Sequence, residues 1–160
     1  MSHLLVAVIG ASTCTPAESQ AAEAVGRALA QGGATVVCGG RGGVMAAACR
    51  GARAAGGLTI GILPGDDPEA ANPHVDVVIA TGLGEARNAI VARTARAIVA
   101  IGGRYGTLSE IAFALKGGVP VVGVGTWRLT VPGPGRLAPI VYVDEPVEAA
   151  RRALDLAREG

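Results

Sequence analysis

The chain has 160 residues, half of them apolar but only 2% aromatic, with 25 glycines and a formal net charge of +1. That length suits one domain over residues 1–160, with a core built from Ala, Val, Leu and Ile. The near-zero charge, with no basic run interleaved with aromatics, argues against a nucleic-acid partner, and no apolar stretch approaches the roughly 20 residues of a membrane span.

The opening MSHLLVAVIG lacks a basic leader and runs from apolar residues into a Gly turn, so it reads as a first strand (4–9) rather than a signal peptide. Cys14, Cys38 and Cys49 are an odd number with no C-x-x-C, which points to free thiols in a reducing compartment. The expectation is a soluble, cytoplasmic protein. Thr15-Pro16-Ala17-Glu18 is a capping box with Pro at the first helical position, opening a helix over 16–31 that Gly32-Gly33 closes. A strand at 34–38 and a helix at 43–56 follow, then strands at 58–63 and 75–80 and a helix at 84–95. Next come a strand at 97–101, a helix at 106–117 ended by Gly117-Gly118, and a strand at 119–124. The stretch 125–139, GTWRLTVPGPGRLAP, carries the only Trp and reads as a surface loop or a lid. A strand at 140–143 and a helix at 146–159 complete the chain.

Most strand candidates are continuous apolar runs, as in parallel strands buried on both faces. The predicted fold class is therefore α/β: a Rossmann-like, doubly wound, mainly parallel sheet of about seven strands, with helices on both faces and right-handed crossovers.

In such a sheet ligands bind beyond the carboxyl ends of the strands, where strand order reverses. Three Gly-bearing loops belong to that edge: Gly10-Ala11-Ser12, Gly39-Gly40-Arg41-Gly42-Gly43 running on to Met45, and Gly102-Gly103-Arg104-Tyr105-Gly106-Thr107. Each leads into a helix, so backbone N–H groups and the positive helix end suit a phosphate. None is a Walker loop and none is a full G-x-G-x-x-G. On the helix at 84–95, Arg87 shares a face with Ile90, Val91 and Thr94, where it needs a carboxylate or a phosphate. On the next helix Leu108, Ile111, Ala112 and Leu115 form the core stripe. Glu110 stands opposite it, as a capping-box partner of Thr107 or as a group facing solvent, the crevice or a partner subunit. His3 and His74 stand in no metal-ligand pattern, and no metal site is expected.

Together these motifs resemble the lonely-guy (LOG) family, once misnamed lysine decarboxylases, in which an Arg precedes by 23 positions the Glu of P-G-G-x-G-T-x-x-E. Arg87 and Glu110 keep that interval, and GGRGGVM is similar to the family's Gly-rich segment ending in Met. VIGAS (8–12), GGRGGVMAAACRGA (39–52), IGILPG (60–65), ANPHVDVVIATGLGEARN (71–88) and GGRYGTLSEIAFALKGGVPVVGV (102–124) resemble in particular a short branch. That branch includes molybdenum-cofactor carrier proteins and bacterial relatives. Two departures from the hydrolases stand out: Gly102-Gly103-Arg104 replaces Pro-Gly-Gly, and Asn88 follows Arg87 where they have Lys.

The resemblance implies two readings of one pocket. As a nucleoside 5′-monophosphate phosphoribohydrolase, the protein would release free base and ribose 5-phosphate. Loop 102–107 and Ser12 would then hold the phosphate, Arg87 would orient the ribose or phosphate, and Glu110 would stabilise the oxocarbenium-like centre or activate water. As a non-catalytic carrier or sensor, it would hold a phosphorylated cofactor, with Arg41 and Arg104 raising affinity for a dianion. No resident cofactor is required by either; the bound species would be a nucleoside monophosphate or a molybdopterin-type molecule. A homodimer or homotetramer is implied as well. A decarboxylase using pyridoxal phosphate is unsupported, since the single Lys, Lys116, falls in the last turn of a helix.

Overall fold

Short apolar runs separated by capped, Ala-rich helices leave the chain one economical solution, a sheet sandwiched between helices. In the computed structural model, which describes residues 3–160, the strands are β1 (Leu4–Gly10), β2 (Ala34–Cys38), β3 (Thr59–Leu63), β4 (Val77–Ala80), β5 (Ala97–Ile101), β6 (Val121–Val124) and β7 (Ile140–Tyr142). Between them run α1 (Pro16–Gln31), α2 (Val44–Ala54), α3 (Arg87–Thr94), α4 (Tyr105–Lys116) and α5 (Pro146–Glu159). A 3-10 turn at Gly84–Ala86 leads into α3.

The sheet order is β4-β3-β2-β1-β5-β6-β7, and every neighbouring pair is parallel. The expected Rossmann-like sheet thus forms, wholly rather than mainly parallel. Because side chains alternate along a strand, Val6 and Val8 of β1 join one core, with residues of α1, α2 and α5 such as Ala22, Ala48 and Ala153. Ala7 and Ile9 join the other, against Val91 of α3 and Ile111 of α4. Small aliphatic side chains fill both layers, as the scarcity of aromatics requires.

Two helix faces differ from expectation. α4 starts at Tyr105, so Thr107 is its third residue and the Thr107–Glu110 capping box does not form. Its buried residues are Thr107, Glu110, Ile111 and Ala114, while Ala112 is exposed and Leu108 and Leu115 are half-buried. In α3 the buried face is Arg87, Val91 and Ala92, and Ile90 points outward. In both helices a polar residue takes a buried position that hydropathy would give to an aliphatic one. Arg87 and Thr107 stand in the first turns of α3 and α4 and Glu110 one turn further along, all on the crevice.

Candidate functional site

From β1 the chain builds outward to β4, then returns to lay β5 on the other side of β1. The carboxyl ends of β1 and β5 therefore diverge into a crevice, and a cavity of about 430 Å³ lies there. Of the predicted site residues, Gly10, Ala11, Ser12, Arg41, Met45, Arg87, Asn88, Arg104, Gly106, Thr107 and Glu110 line it. Gly39, Gly40, Gly42, Gly43, Gly102, Gly103 and Tyr105 do not. Thr13, Pro64, Gly84 and Glu85 line it without having been singled out. No residue chemistry announced them, and Glu85 adds a second carboxylate, beside Glu110, to a wall that carries Arg41, Arg87 and Arg104.

Arg87 opens α3 at 7% exposure, and its Nε is buried without a hydrogen-bond partner. Its guanidinium lies across Gly39, where a Cβ would overlap Nη1 and crowd Met45 Sδ. Gly39 thus serves by close approach, as the floor on which Arg87 rests, and Met45 flanks it. Glu110, also 7% exposed, faces the same space. Burial pushes its carboxyl up to about 7 from 4.5, against the opposing pull of the Arg87 cation. Arg87 is shifted down, first by its own burial and then by Arg41, with Glu110 acting the other way. Among the described residues the two form no salt bridge within 4.0 Å, so both keep polar capacity for a third group.

The three Gly loops are not equivalent as anion sites. The end of α1 is consumed by its own capping box: Thr15 Oγ1 accepts from Glu18 N at 3.1 Å, and Glu18 Oε1 from Thr15 Oγ1 at 3.0 Å. At α2, Val44 N donates to Ala11 O at 3.1 Å. Like α2, α4 starts without a side-chain cap, at Arg104, and Arg104, Gly106 and Thr107 of its first turn all line the cavity. That turn is braced by Asn88, whose Nδ2 donates to Ser109 Oγ at 3.0 Å, while Ser109 Oγ donates to Gly106 O at 2.7 Å. Asn72, which sequence reasoning passed over, fixes the loop bearing Arg41: its N donates to Gly40 O and its Nδ2 to Arg41 O, at 2.9 and 2.8 Å.

A second cavity, of about 680 Å³, shares Ala11, Thr13 and Arg104 with the first. Gly102, Gly103 and Tyr105 line this one, with Glu18 and Trp127. The 125–139 stretch folds back on itself, Val131 N donating to Arg136 O and Ala138 N to Leu129 O. Its base is therefore a wall of the cleft as well as a connector. Cys14, Cys38 and Cys49 are free thiols, and the buried Cys38 and Cys49 sulfurs stand 3.4 Å apart. Among the described residues no three His, Cys, Asp or Glu side chains form a group that could hold a metal, and no helix is long and apolar enough to cross a membrane.

The model of the SLOG cluster4 family matches residues 3–149. The chain belongs to the SLOG cluster4 family. The kinship with LOG-like proteins drawn from the motifs is thereby borne out. An uncharacterized protein of Archaeoglobus fulgidus is 42% identical over 118 residues, 74% of this chain and 78% of that protein. The molybdenum cofactor binding protein from Rippkaea orientalis superposes with a TM-score of 0.86 at 32% identity, covering 97% of each chain. The Moco carrier protein from Chlamydomonas reinhardtii gives 0.85 at 32% identity, covering 99% of this chain and all of that one.

Proposed function

We propose that this protein is a non-catalytic carrier or sensor of a small phosphorylated ligand of the molybdopterin type. The observation that carries the reading is Arg87, a buried guanidinium with an unpartnered Nε, standing at a cavity that Arg41 and Arg104 also line. Three cations around the uncapped start of α4 suit a phosphate dianion. The residues present also fit the rest of such a cofactor: two joined cavities give it length, and its metal would stay on the cofactor's own ligands. Arg87, Arg41, Arg104, Ser12 and the amides of Gly106 and Thr107 would hold the phosphate. The full-length likeness to two molybdenum-cofactor proteins supports this over hydrolysis, as does Arg104 in place of the hydrolase Gly.

One observation favours the second reading, a nucleoside 5′-monophosphate phosphoribohydrolase. Glu110 beside Arg87 has its carboxyl pushed up to about 7, a value suited to proton transfer at neutral pH. The deciding experiment is incubation with AMP, GMP and other monophosphates while following free base. Tight retention of phosphorylated ligand without base release is the expected result. Base release abolished by Glu110→Gln would replace the carrier with the enzyme.

Self-association as a homodimer or homotetramer completes the proposal. Ile90, at 38% exposure on α3, and the exposed Ala112 on α4 give these helices an apolar outer flank. Sedimentation equilibrium should return a multiple of the chain mass, and a monomer at micromolar concentration would remove this part.

A further inference from the structure

We propose that the 680 Å³ cavity is a ring subsite, and that Glu18 there selects heterocycles with a 2-amino-4-oxopyrimidine edge, the edge shared by guanine and pterins. This deepens the reading above, since it places the ligand's phosphate in the neighbouring 430 Å³ cavity.

The chemistry of the walls separates the two lobes. Arg41 and Arg87 line the smaller one alone, whereas the larger carries Glu18 and two aromatic side chains, Tyr105 and Trp127. Arg104 stands on the border and lines both. A second phosphate in the larger lobe would meet a carboxylate, but a flat heterocycle would meet an aromatic wall and an acceptor. That wall is set in advance. Trp127 Nε1 donates to Arg104 O at 3.0 Å, Tyr142 Oη donates to Trp127 O at 2.5 Å, and the Tyr105 and Trp127 ring centroids lie 5.7 Å apart. A fixed ring loses little freedom when another stacks on it.

Glu18 is equally fixed. Its Oε1 is engaged by Thr15 N at 3.4 Å and Thr15 Oγ1 at 3.0 Å, within the capping box. Its Oε2 hangs over Gly102, where a Cβ would overlap it and φ is +53°. Among the described residues Oε2 accepts no hydrogen bond from the protein. A carboxylate held by one oxygen with the other free suits adjacent N–H donors. A 2-amino-4-oxopyrimidine offers two side by side, its ring N–H and its exocyclic amine. Adenine pairs a donor with a ring nitrogen lone pair, which a carboxylate repels, and hypoxanthine lacks the amine.

Because Trp127 is the only Trp in the chain, its fluorescence reports directly on this lobe. The intact protein is titrated with GMP, IMP, AMP, ribose 5-phosphate, 6-hydroxymethylpterin monophosphate and unphosphorylated pterin, with thermal shift as a second readout. GMP and the pterin phosphate should quench Trp127 and bind about tenfold more tightly than AMP, with IMP between. Their relative affinity tells guanine from pterin as the better occupant. Ribose 5-phosphate should raise the melting temperature without quenching. Glu18→Gln keeps a capping-box residue, so it should fold as the parent does while losing the preference for GMP over AMP. Tyr105→Ala should weaken GMP and leave ribose 5-phosphate unchanged. Thermal stabilisation by all the phosphates without quenching, or an undiminished GMP preference in Glu18→Gln, would overturn the ring subsite and leave the phosphate site standing. Quenching by unphosphorylated pterin with no stabilisation by ribose 5-phosphate would do the reverse.

Discussion

α1 and α4 rise from the carboxyl ends of neighbouring strands, yet their first turns are completed in opposite ways. α1 satisfies itself through Thr15 and Glu18, with Pro16 removing one N–H that would otherwise lack a partner. α4 begins at Arg104 with no side-chain cap and presents Gly106 and Thr107 to a cavity that also holds the unpartnered Arg87. One end is finished by the chain; the other is left for something else to finish. An open first turn beside a buried guanidinium whose Nε has no partner is where a ligand would find unmet donors.

The contrast is tested most strongly at Glu110. Its folded-state carboxyl is raised above the ordinary value, so the folded chain holds a proton that the unfolded chain has released. The stability contributed by neutral Glu110 is fully present below pH 4.5 and is lost as pH rises through about 7. The loss is about 3 kcal/mol at 1.36 kcal/mol per pH unit. Urea midpoints of the wild type should fall across that window relative to those of Glu110→Gln, whose profile lacks this component. A dianionic phosphate near Glu110 should take up a proton on binding at pH 7, visible as a buffer-dependent heat.

Arg87→Met probes the same end by removing its cation. Affinity for ribose 5-phosphate should drop about 50-fold, roughly the loss of a charge-assisted bidentate contact. At pH 6, where Glu110 is largely neutral, unliganded Arg87→Met should melt about 2–4 °C higher, because an aliphatic side chain replaces an unpartnered buried charge. A drop in melting temperature would mean that Arg87 is a structural residue. Gly39→Ala leaves the guanidinium in place chemically but sets a methyl where Nη1 now lies. About tenfold weaker ribose 5-phosphate binding with an unchanged circular dichroism spectrum is the expected result.

Much of this was legible in advance. The β-strand runs and the cap of α1 are local signals, and they placed every strand and helix within a few residues. The inward position of Arg87 followed from its i, i+4 relation to Val91, but its neighbour Ile90 was assigned to the wrong side. Hydropathy assumes that buried positions go to apolar residues, and a ligand site breaks that assumption where Arg87, Thr107 and Glu110 stand. The same assumption set Glu110 opposite the core stripe and left solvent open to it, while the Thr-x-x-Glu spacing suggested a cap that the true start of α4 precludes. The role of Asn72, and the division of the cleft by Arg104, depend on contacts between segments far apart in sequence. No local pattern encodes them.

The smallest effect tests the finished end. Thr15→Ala removes the side-chain acceptor for Glu18 N and the donor to Glu18 Oε1. Losing an N-cap of this kind costs about 1 kcal/mol, or about 2–4 °C for a chain of this size. If α1 is closed for stability alone, ribose 5-phosphate should raise the melting temperature of Thr15→Ala by the same increment as in the wild type, since α4 and Arg87 are untouched. The ring subsite predicts something more specific. Thr15 is what holds Glu18 against Gly102, so the preference for GMP over AMP should relax in Thr15→Ala even though Glu18 itself remains. A smaller ribose 5-phosphate increment would show that the two helix ends share one site, and the division between a closed and an open end would fail. An unchanged increment with a relaxed base preference would mean that the cap of α1, although it stabilises the fold, also aims a ligand-binding carboxylate.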